Sequence, residues 1–71
     1  MGVNVVLYRA TIVCDVCGKA ITTDPKPILD ARFNVRRFYH AHLQTHGYTN
    51  SDAQLEAATR DPSLEQVSSN L

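Results

Sequence analysis

The two cysteines and three histidines of this 71-residue chain stand in two short clusters. Cys14 and Cys17 belong to "CDVCGK", and all three histidines lie in "HAHLQTH", residues 40–46. A Cys-x-x-Cys turn presents two thiolates from one loop, and histidines four positions apart present their rings from one side of a helix. Zn²⁺ prefers these ligand types, at about 2.0–2.3 Å in tetrahedral coordination. The spacing therefore predicts a zinc site made by Cys14, Cys17, His42 and His46.

His40 is the histidine that this arrangement leaves out. It precedes His42 by two positions, so on a helix it points to roughly the opposite side, where Arg36 and Gln44 lie. Four good ligands leave no coordination position for water, so the predicted zinc is structural rather than catalytic. Two other interpretations stay open: a redox-active cysteine pair, and cysteines and histidines that share no site.

The residues that carry the cysteines are predicted to form a β-hairpin. Residues 3–13, "VNVVLYRATIV", are rich in β-branched residues and indicate a strand that leads into Cys14. Residues 17–23 continue beyond a glycine turn, which favours a second strand. "DPKP" at residues 24–27 contains two prolines and interrupts any helix or central strand.

The helix that carries the histidines is predicted over about residues 35–46. A helix begun at residue 31 would place Phe33 among charged residues, so we predict Phe33 in an extended segment and Asn34 as the N-cap. Gly47 follows the last histidine and supplies the left-handed residue that commonly ends a helix.

A second helix is predicted over about residues 51–60. Ser51 is its predicted cap, Gln54 completes a capping box, and Asp61-Pro62 ends the pattern. Leu55 and Ala58 would give this helix a weak apolar side.

These elements predict one domain over residues 1–62, with a finger-like core at about 12–47 and the appended helix at about 51–60. We predict that residues 63–71 form a flexible tail. The fold class is α+β: a small zinc-stabilised β-hairpin plus helix, with an additional C-terminal helix.

The length and composition favour a metal-stabilised intracellular protein. A core of this size contributes only about 3–5 kcal/mol, so a metal or a partner is often required. No apolar run approaches the roughly 18 residues of a membrane span, and the N-terminus does not resemble a secretory signal. Two cysteines are too few for a disulfide framework. We therefore expect a reducing, cytoplasmic location.

The formal net charge is zero, but the charges are unevenly distributed. Residues 1–50 contain six basic and three acidic side chains, a net of +3, and residues 51–71 contain one basic and four acidic side chains, a net of −3. The candidate nucleic-acid-binding residues are Arg32, Arg36, Arg37 and His40, which could contact phosphates. A dedicated nucleic-acid-binding protein is usually more basic than this chain.

The segment "FNVRRFYHAHLQTH" resembles the second half of the two-cysteine, two-histidine zinc finger. Phe33, Tyr39, His42 and His46 match that family's order of an aromatic, a core apolar residue and two histidines, and the Cys-x-x-Cys motif matches its first half. The gap between the cysteine and histidine pairs is 24 residues here, against about 12 in the family. The resemblance implies a ββα-like fold with an enlarged loop, and a treble-clef zinc module is the alternative.

The same resemblance argues against sequence-specific DNA reading. The base-contacting positions of such fingers project onto Val35, Phe38 and Ala41, which have no donor for a base edge. The sequence also lacks a separate Ser/His/Asp set and a phosphate-binding glycine loop, so we do not predict an enzyme. We predict an auxiliary or regulatory module that binds a protein partner or itself. Phosphate-directed DNA binding is the alternative, and neither a membrane nor a small-molecule substrate is expected.

Overall fold

The computed structural model of the protein describes residues 6–68. It contains, in chain order, β1 (Val6–Val13), β2 (Ala20–Thr22), α1 (Ile28–Thr45), α2 (Asn50–Thr59) and β3 (Ser63–Ser68). The strands form one antiparallel sheet in the order β2-β1-β3. The predicted α+β class is confirmed. Neither α1 nor α2 has the length and apolar character needed to cross a membrane.

The predicted hairpin around the cysteines is confirmed. β1 is dominated by β-branched and other apolar residues, which suit a pleated and partly buried surface. Thr11 pairs with Thr22 and Val13 with Ala20, so the two strands run antiparallel on either side of the cysteine turn. The predicted strand residues 3–5 lie outside the described part of the chain.

The helix that carries the histidines begins at Ile28, so the predicted start near residue 35 is wrong. Pro27 is its N-cap, with φ −53° and ψ 150°, where the N–H that proline lacks is not needed. Asn34, the predicted N-cap, lies inside the helix and donates from its side-chain amide to the Asp30 carbonyl at 2.8 Å.

The core explains why Phe33 belongs to α1. Ala31, Val35, Tyr39 and Leu43 are spaced four positions apart, lie along one side of the helix and are fully buried. They form the core together with residues of the sheet, among them Ala10, Ile12 and Ile21. Phe33 lies on the opposite side of the helix and is 63% exposed. The extended segment predicted at Phe33 is therefore incorrect. Burial of the four residues on the core side of the helix stabilises it by more than exposure of one aromatic ring costs.

The turn between the helices uses the predicted glycine but a different cap. Gly47 has φ +91°, and its N–H donates to the Gln44 carbonyl at 3.1 Å. Thr49, not the predicted Ser51, caps α2, because its Oγ1 accepts from the Asp52 N–H at 3.1 Å.

α2 packs on α1 through small residues. Ala53 and Ala57 are its buried side chains, and small side chains let the two helix backbones approach closely. The apolar side predicted from Leu55 and Ala58 is wrong, because Leu55 is 67% exposed and Ala58 is also exposed.

β3 is the main correction to the predicted organisation. Residues 63–68, part of the predicted flexible tail, form a strand that pairs along β1, with Leu7 opposite Val67. Residues 69–71 lie outside the described part of the chain. β3 covers the edge of β1 that a ββα fold would leave open, so the long apolar first strand lies in the centre of the sheet.

Candidate metal centre

A tight turn at the end of β1 presents both cysteines. The Cys14 N–H donates to the Lys19 carbonyl at 2.9 Å, and the Gly18 N–H donates to the Cys14 carbonyl at 2.8 Å. Gly18 has φ +77°, in the left-handed region that residues with a Cβ rarely adopt. The turn leaves Cys14 buried and Cys17 exposed.

The C-terminal end of α1 presents two histidines to this turn. Nε2 of His42 lies 3.3 Å from Sγ of Cys17 and 3.1 Å from Nε2 of His46. The two imidazole rings are nearly perpendicular, at 84°, with 4.7 Å between their centroids. One ligand atom from each of Cys14, Cys17, His42 and His46 lies within 4.8 Å of all the others. The structure thus brings together the four side chains predicted from spacing.

The donor atoms and their separations fit a tetrahedral metal ion. Ligands at about 2.0–2.3 Å from a tetrahedral zinc ion lie roughly 3.3–3.8 Å from one another. His42 Nε2 lies 3.1 Å from His46 Nε2 and 3.3 Å from Cys17 Sγ, close to this range. All four ligand atoms lie within 4.8 Å of one another, so small side-chain shifts are enough to place them around one ion. The cluster can therefore hold a metal ion such as zinc.

Local hydrogen bonds favour the thiolate form of Cys14. Burial by itself raises the pKa of this thiol, but hydrogen bonds from the backbone N–H groups of Cys17 and Val16, and from the Cys17 side chain, lower it. The hydrogen bonds outweigh burial, so the pKa of Cys14 lies below its ordinary value. Because the thiolate is the form that binds metals, the turn prepares this side chain for coordination.

The surroundings of His42 favour its neutral form. Desolvation lowers the pKa of this imidazole, and the positive charges of His46 and Lys19 lower it further. A neutral imidazole has a lone pair to direct at a metal ion, whereas a protonated imidazole has none. The lowered pKa of His42 therefore favours the protonation state that coordination requires.

The side chain of Arg60 binds the cysteine turn from a distant part of the chain. Nη2 donates to the Val13 carbonyl at 2.9 Å, and Nη1 donates to Asp15 Oδ2 at 2.6 Å and to the Tyr39 hydroxyl at 3.2 Å. The guanidinium also lies over the Tyr39 ring, 5.4 Å from its centroid. Because Cys14 stands between Val13 and Asp15, Arg60 holds the backbone on one side of the buried ligand and the Asp15 side chain on the other.

Arg36 binds the segment between α2 and β3, to which Arg60 belongs. Its Nε and Nη2 both donate to the Arg60 carbonyl, at 3.1 Å and 3.0 Å, and Nη2 lies 3.7 Å from Asp61 Oδ1. Sequence reasoning missed these contacts, since the two arginines are 24 positions apart. The only signal was that Arg60 is the single basic residue of the acidic segment 51–71.

Three of the four residues predicted to contact nucleic acid, Arg36, Arg37 and His40, line one cleft between α1 and α2, and Arg32 is not among its lining residues. Arg37 is exposed, and its guanidinium lies 5.8 Å from the centroid of the Phe33 ring. Arg36 and His40 make hydrogen bonds within the molecule, and Arg32 is half-buried. Of the four, Arg37 alone is exposed, and the other three are half-buried.

His40→Ala is expected to leave metal binding unchanged. His40 Nε2 lies 2.9 Å from Asn50 Oδ1 and outside the ligand cluster. The variant loses one hydrogen bond near the surface, worth about 0.5–1.5 kcal/mol, and should keep wild-type zinc content by elemental analysis. His42→Ala is the matched comparison and should lose the metal. Loss of zinc from His40→Ala would show that His40 is itself a ligand.

Two positions separate this site from the zinc finger that the sequence resembles. Tyr39 matches the core apolar position and is fully buried, whereas Phe33, which matches the aromatic position, is exposed. Val35 matches a base-contacting position but is fully buried. What is retained is the ligand set on a hairpin and a helix.

Comparisons with protein-family models, curated proteins and solved structures found no match. The protein is therefore described by its fold and its site. It is a small α+β domain with a three-stranded antiparallel sheet, two helices and a Cys2His2 cluster able to hold a metal ion such as zinc.

Proposed function

We propose that the protein is a zinc-stabilised module whose role is to bind protein. The observation that supports the zinc is the convergence of four ligand atoms from the cysteine turn and the end of α1 within 4.8 Å. Four such ligands complete a tetrahedral site and leave no position for water or a substrate. When bound, zinc would hold the hairpin to the helix and take no part in a reaction.

Exposed apolar residues on the outer side of α1 support a protein partner. Leu29 and Phe33 lie one helical turn apart, and they are 75% and 63% exposed. Contiguous exposed apolar surface is a feature of contact sites, whereas single scattered apolar side chains are ordinary. Phosphate binding has weaker support, because Arg36 and His40 already make hydrogen bonds within the molecule.

A capture experiment tests this role. Immobilised zinc-loaded protein should retain a protein that also binds it when both are purified, and Phe33→Ser should weaken that binding. Leu64→Ser is the control, because it removes a partly exposed leucine from β3 rather than from α1.

Fluorescence anisotropy with random duplex DNA tests the alternative. We expect no binding at physiological salt. An affinity that falls steeply as salt rises, and that is lost in Arg37→Ala, would replace the protein-binding proposal with phosphate binding.

A further inference from the structure

The cleft between α1 and α2 combines positive charge with apolar surface. It encloses about 450 Å³. Its lining residues are Phe33, Arg36, Arg37 and His40 from α1 and Asn50, Gln54, Ala57 and Ala58 from α2. None of these described lining residues is acidic. The cleft therefore suits an apolar segment that also carries negative charge.

Phe33 and Arg37 define the accessible part of this cleft. Both side chains are exposed, and the guanidinium lies 5.8 Å from the centroid of the ring. Arg36, the other arginine of the cleft, uses its N–H groups on the Arg60 carbonyl. An apolar surface thus stands directly beside one accessible cation, which matches a leucine or similar side chain next to a carboxylate.

The outer side of α2 carries the complementary pattern. Asp52, Leu55 and Glu56 are three and four positions apart and so share one side of the helix. Ala53 and Ala57 are buried, which directs this acidic side away from the core. Leu55 is 67% exposed, Asp52 is also exposed and Glu56 is half-buried.

We propose that two copies of the chain associate, with the acidic side of α2 in one protomer seated in the cleft of its partner. A two-fold axis makes this contact occur twice, so each copy contributes one cleft and one acidic helix side. The charges have the required sign, since residues 1–50 carry a net of +3 and residues 51–71 a net of −3. This inference rests on the proposed protein-binding role and names a second copy as the partner.

A second copy suits the cleft better than nucleic acid does. Affinity for nucleic acid depends on the number of phosphates that lysines and arginines neutralise. Of the two arginines in the cleft, Arg37 is exposed and Arg36 is half-buried. One accessible cation beside an aromatic ring is enough for a carboxylate next to a leucine, but it gives little affinity for a phosphate backbone.

Sedimentation equilibrium of the zinc-loaded protein tests the inference. Between about 1 μM and about 1 mM we expect a monomer–dimer equilibrium. Arg37→Glu should weaken the dimer by at least about tenfold, and so should Asp52→Arg/Glu56→Arg, because like charges then face each other. Arg32→Glu is the matched control, since it reverses the same charge on the same helix outside the cleft lining.

Mixing the two charge-reversed variants gives the sharpest result. In the mixed dimer the reversed cleft meets the reversed helix side, and the second contact is wild type. The mixture should therefore associate more tightly than either variant alone. Far-UV spectra and zinc content identify folded variants. Leu55→Ser, which changes no charge and should also weaken the dimer, provides a second test if a charge variant does not fold.

Wild-type protein that stays monomeric throughout the range overturns the inference, as does a mixture that associates no more than its components. Failure of the proposed function is distinguishable from both. A monomeric protein that binds a different purified protein contradicts self-association alone, whereas one that binds neither protein nor itself contradicts both.

Discussion

Removal of the metal ion with a chelator is expected to unfold the protein. Zinc binding contributes about 10–16 kcal/mol in small zinc-finger peptides at pH 7, whereas the core of such a short chain contributes about 3–5 kcal/mol. Among the described residues, the largest fully buried side chains are Tyr39, Leu43, Val35 and Cys14, and the last of these belongs to the candidate ligand cluster. Far-UV circular dichroism and thermal melting, recorded before and after chelation and again after zinc is restored, measure the effect.

His42→Ala tests the same expectation within the site. His42 Nε2 lies next to both Cys17 Sγ and His46 Nε2, so its removal takes a central ligand from the cluster. We expect loss of zinc and of the cooperative melting transition. His42→Cys is the matched variant, because it supplies another ligand that zinc accepts and should retain the metal. A chelated protein that melts as cooperatively as the untreated protein would contradict this account of its stability.

Arg60→Ala is expected to weaken metal binding although Arg60 is not a ligand. Its guanidinium holds the Val13 carbonyl and the Asp15 carboxylate, the neighbours of Cys14 on either side. Groups that orient metal ligands typically change metal affinity by about 10–100-fold when they are removed. Competition with a chromophoric chelator gives the affinity, and the Co²⁺ absorption spectrum reports the ligand geometry directly.

Two further variants separate positioning from a general loss of charge. Arg60→Lys keeps the charge but lacks the planar fork that reaches several acceptors, so it should restore little of the lost affinity. Arg9→Ala removes the ion pair with Glu65, whose charged atoms are 3.7 Å apart and exposed, and should leave metal affinity unchanged. Wild-type affinity in Arg60→Ala would show that the contacts near Cys14 do not position the ligand.

The ligand set could be predicted because both half-motifs are local. Two cysteines separated by two residues share one turn whatever the rest of the chain does, and His42 and His46 lie one helical turn apart. Gly47 could be predicted in the same way, because a glycine directly after a helix commonly takes the positive φ that ends it. That the two halves meet was inferred from their chemistry, and the structure brings them within 4.8 Å.

The start of α1 could not be read from its own residues. Exposure of Phe33 argued locally against a helix, but the fully buried row of α1 requires a helix that extends back to Ala31. Side-chain periodicity identifies which residues share a side, and the sheet determines which side is buried. The cap of α2 was misplaced for a related reason, since Ser51 and Thr49 are both favoured N-cap residues.

The ligand types and their spacing are properties of the amino-acid sequence itself. The hairpin depends on interactions between residues a few positions apart, so the sequence also indicates it without further information. The pairing of β3 with β1, and the reach of Arg60 to the turn 45 residues before it, arise only when the folded chain brings distant segments together. No local pattern marks such contacts, because their stability comes from hydrogen bonds and packing that exist only in the assembled fold.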